Sequence, residues 1–193
     1  MKIIVLQGSP RLNGNTAVLA SEFAAGMKAG GAEVEVMNLA DKKIGPCDAC
    51  NQCECGERDF CVHQDDMTNV MKAVKKADAV VAATPVWWTG MSSQMKIFID
   101  RLYGYKTKDY FGGKPLFLIT AYFEEYEEDA PLPGEKIAAY TFQSIADFAG
   151  MDFVGHLRSD PAKGSVITDS KMMVHTFNTG KRFAGVLDKV AEN

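Results

Sequence analysis

Apolar residues along this chain follow two alternating rhythms. Residues 2–6 form a short run rich in Ile and Val, closed by Gly8, Ser9 and Pro10, which predicts a buried strand. Asn15–Ala29 spaces Val18, Leu19, Phe23 and Met27 at helical intervals and stops at Gly30-Gly31. Residues 33–37 alternate Glu, Val, Glu, Val, Met, as a half-exposed edge strand does. Residues 45–66 hold no period. Met67–Lys76 then predicts a helix with Val70, Met71 and Val74 inward and Asp66 or Asp65 as its N-cap. Residues 78–84 read as a second buried strand ended by Pro85, and residues 92–103 as an amphipathic helix carrying Met95, Phe98, Ile99 and Leu102. Pro115–Ala121 is a third buried strand, followed by an exposed acidic stretch over 124–129. A helix over 135–149, a strand over 152–157 and a terminal helix over 170–190 complete the pattern. Five strands alternating with five helices predict an α/β fold, a doubly wound parallel sheet with right-handed crossovers. No repeat or linker divides the chain, so one domain is expected over 1–193, with residues 45–66 inserted between the second strand and second helix.

Composition narrows the function classes. The chain has 193 residues and a formal net charge of −4, which supplies no phosphate-neutralising excess for nucleic acid. No apolar run approaches the roughly 18 residues of a membrane span, and the apolar start is too short for a signal peptide, so a cytoplasmic protein is expected. The five cysteines are the anomaly: all lie between Cys47 and Cys61. Clustered cysteines in such a chain point to metal or redox chemistry rather than a disulfide framework.

In an open α/β sheet, ligands sit beyond the carboxyl ends of the strands. The first strand-end loop is Gly8-Ser9-Pro10-Arg11-Leu12-Asn13-Gly14-Asn15-Thr16. Its small residues, the hydroxyls of Ser9 and Thr16, and amides converging on a helix start make an anion site, and Arg11 can grip a phosphate with two nitrogens. It is neither a Walker A loop nor a dinucleotide fingerprint. The plainer alternative is a turn capped by Asn13 or Asn15. The second loop, Thr84-Pro85-Val86-Trp87-Trp88-Thr89-Gly90-Met91-Ser92, carries two adjacent tryptophans that cannot both be core. At least one is expected to cover a flat ligand, unless both pack on neighbouring helices. In the third loop Tyr122 and Phe123 either gate the same pocket or pack.

The cysteines are spaced Cys47-x2-Cys50-x2-Cys53-x-Cys55-x5-Cys61. Cys47, Cys50, Cys53 and Cys61 are the natural four ligands of a cubane wrapped by a short loop, with Cys55 spare. Structural zinc, disulfides and free thiols are the rivals. His63, His156 and His175 are scattered without ligand spacing, and the ten methionines fit core filling.

From Met1 to about Arg101 the chain resembles the flavodoxin-like NAD(P)H-dependent FMN reductases, including the iron–sulfur flavoproteins. Gly8-Ser9-Pro10-Arg11…Gly14-Asn15-Thr16 is similar to that family's phosphate loop, and Pro85 to Ser92, with Lys96 and Asp100-Arg101 beyond it, resembles its flavin-ring signature. The resemblance implies a three-layer sheet of order 2-1-3-4-5 and non-covalently bound FMN. Ser9, Arg11, Asn13, Asn15 and Thr16 would hold the phosphate, and Pro85 to Gly90 with Tyr122 would flank the ring. NAD(P)H or a ferredoxin would supply electrons for a small acceptor such as a quinone or flavin, with no catalytic acid or base from the protein, in a dimer or tetramer. Lys96, Asp100 and Arg101 also admit the plain reading of helix-surface charges. The segment from Cys47 to Met67 resembles the compact motif of iron–sulfur flavoproteins and equally a pattern in cluster-free flavin reductases, so a 4Fe–4S cluster stays open. The rival classes are a one-electron carrier docking through its acidic stretch, and a non-enzymatic metal-binding or redox-sensing module.

Overall fold

The computed structural model describes residues 1–53, 61–122, 134–159 and 164–191. Five strands, β1 (Lys2–Gln7), β2 (Glu33–Asn38), β3 (Ala79–Pro85), β4 (Pro115–Ala121) and β5 (Asp152–Ser159), pair in parallel in the order β2-β1-β3-β4-β5. The expected order and class are therefore present. The helices are α1 (Asn15–Ala29), α2 (Met67–Lys76), α3 (Ser93–Arg101), α4 (Thr107–Phe111), α5 (Gly134–Ala149) and α6 (Ser170–Ala191).

Side chains alternate across each strand, so the apolar runs supply both faces at once. Ile4, Leu6, Val80, Ala82, Leu116 and Leu118 meet Val70, Val74, Met95, Phe98 and Phe142 on the α2, α3 and α5 side. Ile3, Val5, Val81 and Ile119 meet Phe23 and Met27 of α1 and Phe183 of α6 on the other. β3 is buried along its whole length, whereas β2, at the edge, is nowhere fully buried. Two glycines let α1 and α6 approach: a Cβ at Gly26 would lie 2.0 Å from the Phe177 carbonyl oxygen, and one at Gly180 2.2 Å from that of Phe23.

Three details depart from the sequence pattern. The helix expected over 92–103 ends at Arg101 and tightens into a 3₁₀ turn, Leu102–Gly104. α4 went unread, because five residues show no period, although its Tyr110 and Phe111 are buried. Of the two capping candidates, Asp65 accepts the Met67 N–H at 3.1 Å, while Asp66 accepts that of Lys43 at 2.7 Å. No helix among the described residues is long and apolar enough to cross a membrane.

β1 has β2 on one side and β3 on the other. The connections leaving β1 and β3 therefore pass to opposite faces and open a crevice above the carboxyl ends of these strands.

Candidate functional site

Above that switch lies a cleft of about 640 Å³, within the usual range for small-molecule sites of roughly 300–1,000 Å³. Ser9, Arg11, Asn15, Thr16, Pro85, Val86, Trp87, Trp88 and Tyr122 line it, so nine of the residues singled out from sequence converge. Gly14 and Ala121 join them. Asn13, Thr89 and Gly90 do not line it. Asn13 is exposed, the Thr89 hydroxyl donates to the Trp88 carbonyl at 2.6 Å, and Gly90 is paired with Trp87. Phe123 and the acidic stretch 124–129 lie outside the described residues.

The phosphate loop is built around Ser9, only 3% exposed, whose hydroxyl accepts the Arg11 N–H at 3.1 Å. The Gly14 N–H closes the turn on the Arg11 carbonyl at 3.0 Å. Gly14 is the N-cap of α1 and no side chain caps it, so the first-turn amides keep their donors for a ligand anion. That donor set, with the buried Ser9 and Thr16 hydroxyls and the exposed cation of Arg11, fits the single phosphate of FMN. Asn15, the alternative cap, instead accepts the Val166 N–H at 3.2 Å and fastens the approach to α6.

The ring loop is a tight hairpin. Trp87 and Gly90 exchange both backbone hydrogen bonds, at 2.9 and 3.0 Å, and Trp88 and Thr89 take φ of 48° and 66°. Two consecutive left-handed non-glycine residues are strained, and such strain gathers at ligand sites. It presents Trp88 wholly exposed at the rim, with Trp87 41% exposed. Neither ring is core.

Ser92, which ends this loop, ties the two halves of the cleft together. It is fully buried: its N–H donates to Thr84 Oγ1 at 3.0 Å and its hydroxyl to the Gly8 carbonyl at 2.6 Å. The same hydroxyl accepts the Met95 N–H and so caps α3. Sequence reasoning placed Thr84 and Ser92 in this loop but gave them no role; the signal available was a Ser directly before an amphipathic run.

The cysteine loop departs from β2 and is closed at its base. Asp66 holds the Lys43 N–H, and Asp65 accepts from the Gly45 N–H at 3.2 Å. Arg101 forks onto both Asp65 oxygens, at 2.7 and 3.2 Å, and donates to the Gly45 carbonyl at 2.9 Å. Burial pushes the Asp65 carboxyl up, but the hydrogen bonds from Arg101, Gly45 and Met67 outweigh it and hold it below the ordinary carboxylate range. Arg101 is 1% exposed, which corrects its reading as a surface charge; Lys96 and Asp100 do form an exposed pair at 2.5 Å.

Ala49 and Asn51 take left-handed φ of 54° and 56°, which curls the chain so that Cys47, Cys50, Cys53 and Cys61 line one cavity. It measures only about 20 Å³, room for a water-sized body. Cys47 and Cys50 are exposed, Cys53 is partly covered and Cys61 is buried. Cys55 lies outside the described residues. Four thiols lining one cavity supply the donor chemistry of a thiolate-held metal centre. His63, unremarkable in sequence, lies 3.1 Å from Asp48, and Asp48, Cys50 and His63 bring ligand atoms within 4.8 Å of one another.

The sheet order and the cleft at its switch define a flavodoxin-like protein. The chain belongs to the NADPH-dependent FMN reductase family, whose family model matches residues 1–127. An iron-sulfur flavoprotein of Methanocaldococcus jannaschii is 40% identical over 101 residues, 52% of this chain and 51% of that one, so the match spans about half the length of that relative. The putative NAD(P)H-dependent FMN-containing oxidoreductase YwqN of Bacillus subtilis is 28% identical over 178 residues, 90% of this chain and 93% of its own. Among solved structures, an NAD(P)H:quinone oxidoreductase from Methanothermobacter marburgensis superposes with a TM-score of 0.68 at 18% identity, covering 97% of both chains.

Proposed function

We propose that this chain is a cytoplasmic oxidoreductase that binds FMN in the cleft and passes electrons from NAD(P)H, or from a ferredoxin, to a small acceptor such as a quinone or flavin. The observation that carries the reading is the uncapped start of α1 facing the cleft beside buried Ser9 and Thr16, opposite the exposed aromatic hairpin. When bound, FMN supplies the hydride and electron chemistry, and the protein supplies position and field. Ser9, Arg11, Asn15 and Thr16 seat the phosphate end; Pro85, Val86, Trp87, Trp88 and Tyr122 bound the ring end and exclude water from one side.

Cys47, Cys50, Cys53 and Cys61 fit a 4Fe–4S cluster by donor chemistry and convergence, and two features support self-association: Tyr103 and Phe148 stand 60% and 76% exposed on neighbouring elements. A carrier role, with electrons handed on to a protein rather than to a substrate, is the second reading; the same cysteines support it.

The test is direct. Anaerobically purified protein should be yellow, release one FMN per chain on denaturation and oxidise NADH or NADPH when a quinone is added. Colourless protein that takes up no added FMN would sink the reading. NAD(P)H oxidation too slow to support turnover, with fast reduction by a ferredoxin, would favour the carrier. Light scattering that finds only monomers removes the self-association.

A further inference from the structure

One buried charge is left over by the FMN cleft. Arg101 closes α3, the helix whose first residues are tied through Ser92 to the phosphate loop, and its guanidinium is 1% exposed. Arg101 lines the same small cavity as the four cysteines. Its two terminal nitrogens are engaged by Asp65 and Gly45, but Nε is buried with no hydrogen-bond partner among the described residues. The last cysteine sits against the turn that follows α3: a Cβ on Gly104 would come within 2.8 Å of the Cys61 Cβ. Cys61 and Asp65 are the ionisable groups that bear on Arg101. A buried cation that closes a loop's base and lines the cavity of buried Cys61 does more than a surface ion pair, because the low local dielectric leaves its field on that thiol poorly screened.

We propose that Arg101 is a positioning residue for the cysteine loop, fixing its base through Gly45 and Asp65, and that its charge sets how readily an iron–sulfur centre on Cys47, Cys50, Cys53 and Cys61 accepts an electron. The inference rests on the reading of those four cysteines as cluster ligands. Reduction adds one electron, supplied by the donor, and so one negative charge to the cluster and its thiolates. A neighbouring cation stabilises the reduced form more than the oxidised one and raises the potential; Asp65, on the far side of the fork, opposes it. Geometry and charge are then separable by substitution. Arg101→Lys keeps the charge and loses the fork. Arg101→Gln loses both. Asp65→Asn removes the opposing charge.

The experiment reconstitutes wild type and the three variants with iron and sulfide under anaerobic conditions. It measures iron and sulfide per chain, the rate of iron loss to a chelator, and the midpoint potential by dithionite titration, with circular dichroism to check folding. Arg101→Gln should lower the potential and lose iron several-fold faster. Arg101→Lys should hold the potential near wild type while losing iron faster. Asp65→Asn should shift the potential upward, the opposite sign, which a purely structural role would not produce. Wild-type potential and iron retention in Arg101→Gln would overturn the proposal. A shift of the same sign in Asp65→Asn would overturn its charge component. If Arg101→Gln fails to fold, the Lys and Asn variants decide. A wild type that takes up no iron and sulfide removes the cluster reading and this inference with it, whereas a loaded wild type with indifferent variants removes the inference alone.

Discussion

The two candidate sites hang from adjacent strands of one sheet, yet they are built differently. The cleft is made of strand ends and helix starts: the loops after β1 and β3 are joined through Thr84, Ser92 and Gly8 by buried hydrogen bonds, and the space between them stands open at about 640 Å³. The cysteine loop is pinned only at its base, by Asp65, Asp66 and Arg101, and its thiols close on about 20 Å³. A preformed site spends little on ordering when its ligand arrives, whereas a site that must open and re-form couples ligand binding to local folding. The cleft is therefore expected to bind FMN reversibly at any loop state, and the loop to acquire a fixed shape only with its metal.

The sharpest way to break this contrast is a reciprocal pair of substitutions. Cys47→Ser should abolish iron retention and leave FMN affinity essentially unchanged. Arg11→Ala should weaken FMN binding about tenfold or more, the worth of a charge-assisted phosphate contact, and leave iron content intact. Fluorescence titration with FMN and iron analysis of both variants check the pair. Loss of both ligands in either variant would mean that the two sites are one cooperative unit.

The next effect tests the rigidity of the cleft. Ser92→Ala removes a helix cap and strands the Gly8 carbonyl and Met95 N–H, each buried. A loss of about 2 kcal/mol in urea unfolding is expected, from the cap and the unpaired groups together. FMN affinity should fall with it, because Gly8 begins the phosphate loop. Destabilisation with unaltered FMN binding would show that the phosphate loop holds its shape without this bond.

A smaller effect is expected at the hairpin. Thr89 occupies left-handed backbone at φ 66° with its side chain outside the cleft, so Thr89→Gly should stabilise the protein by up to about 1 kcal/mol. Thermal unfolding of the variant measures it. If stability instead falls, the Thr89 hydroxyl bond to the Trp88 carbonyl outweighs the strain.

Legibility in the sequence follows the same division between local and distant. The doubly wound parallel sheet followed from the alternation of apolar runs, its strand order from the family resemblance, and the phosphate loop from nine contiguous residues whose chemistry is complete within the segment. At least one of Trp87 and Trp88 was legible as non-core, because two adjacent tryptophans in a loop cannot both be buried. What escaped depends on partners far along the chain. Ser92 meets a carbonyl 84 positions earlier, and Arg101 meets Asp65 36 positions earlier. In a helix pattern Arg101 looks like Lys96 and Asp100, since its burial is set by a loop with no period of its own. Asn13, Thr89 and Gly90 do not line the cleft for the converse reason: contiguity with a site does not aim a residue into it.

The smallest expected effect lies at the sheet edge, away from both sites. His156 on β5 has its Nε2 2.7 Å from Thr120 Oγ1, and burial, aided by nearby Arg158, pushes its pKa down to about 4 from the usual 6.5. The folded protein therefore keeps the ring neutral where the unfolded chain would protonate it. The resulting contribution to stability is complete above pH 6.5 and is lost progressively as pH falls towards 4. His156→Gln preserves a hydrogen-bonding group for Thr120 and removes the titration. Between pH 7 and pH 5 wild type should lose about 1 kcal/mol more unfolding free energy than this variant, allowing for partial solvent exposure. Equal losses would mean that His156 titrates alike in the folded and the unfolded chain, because a carboxylate held low like Asp65 loses its contribution only below about pH 4.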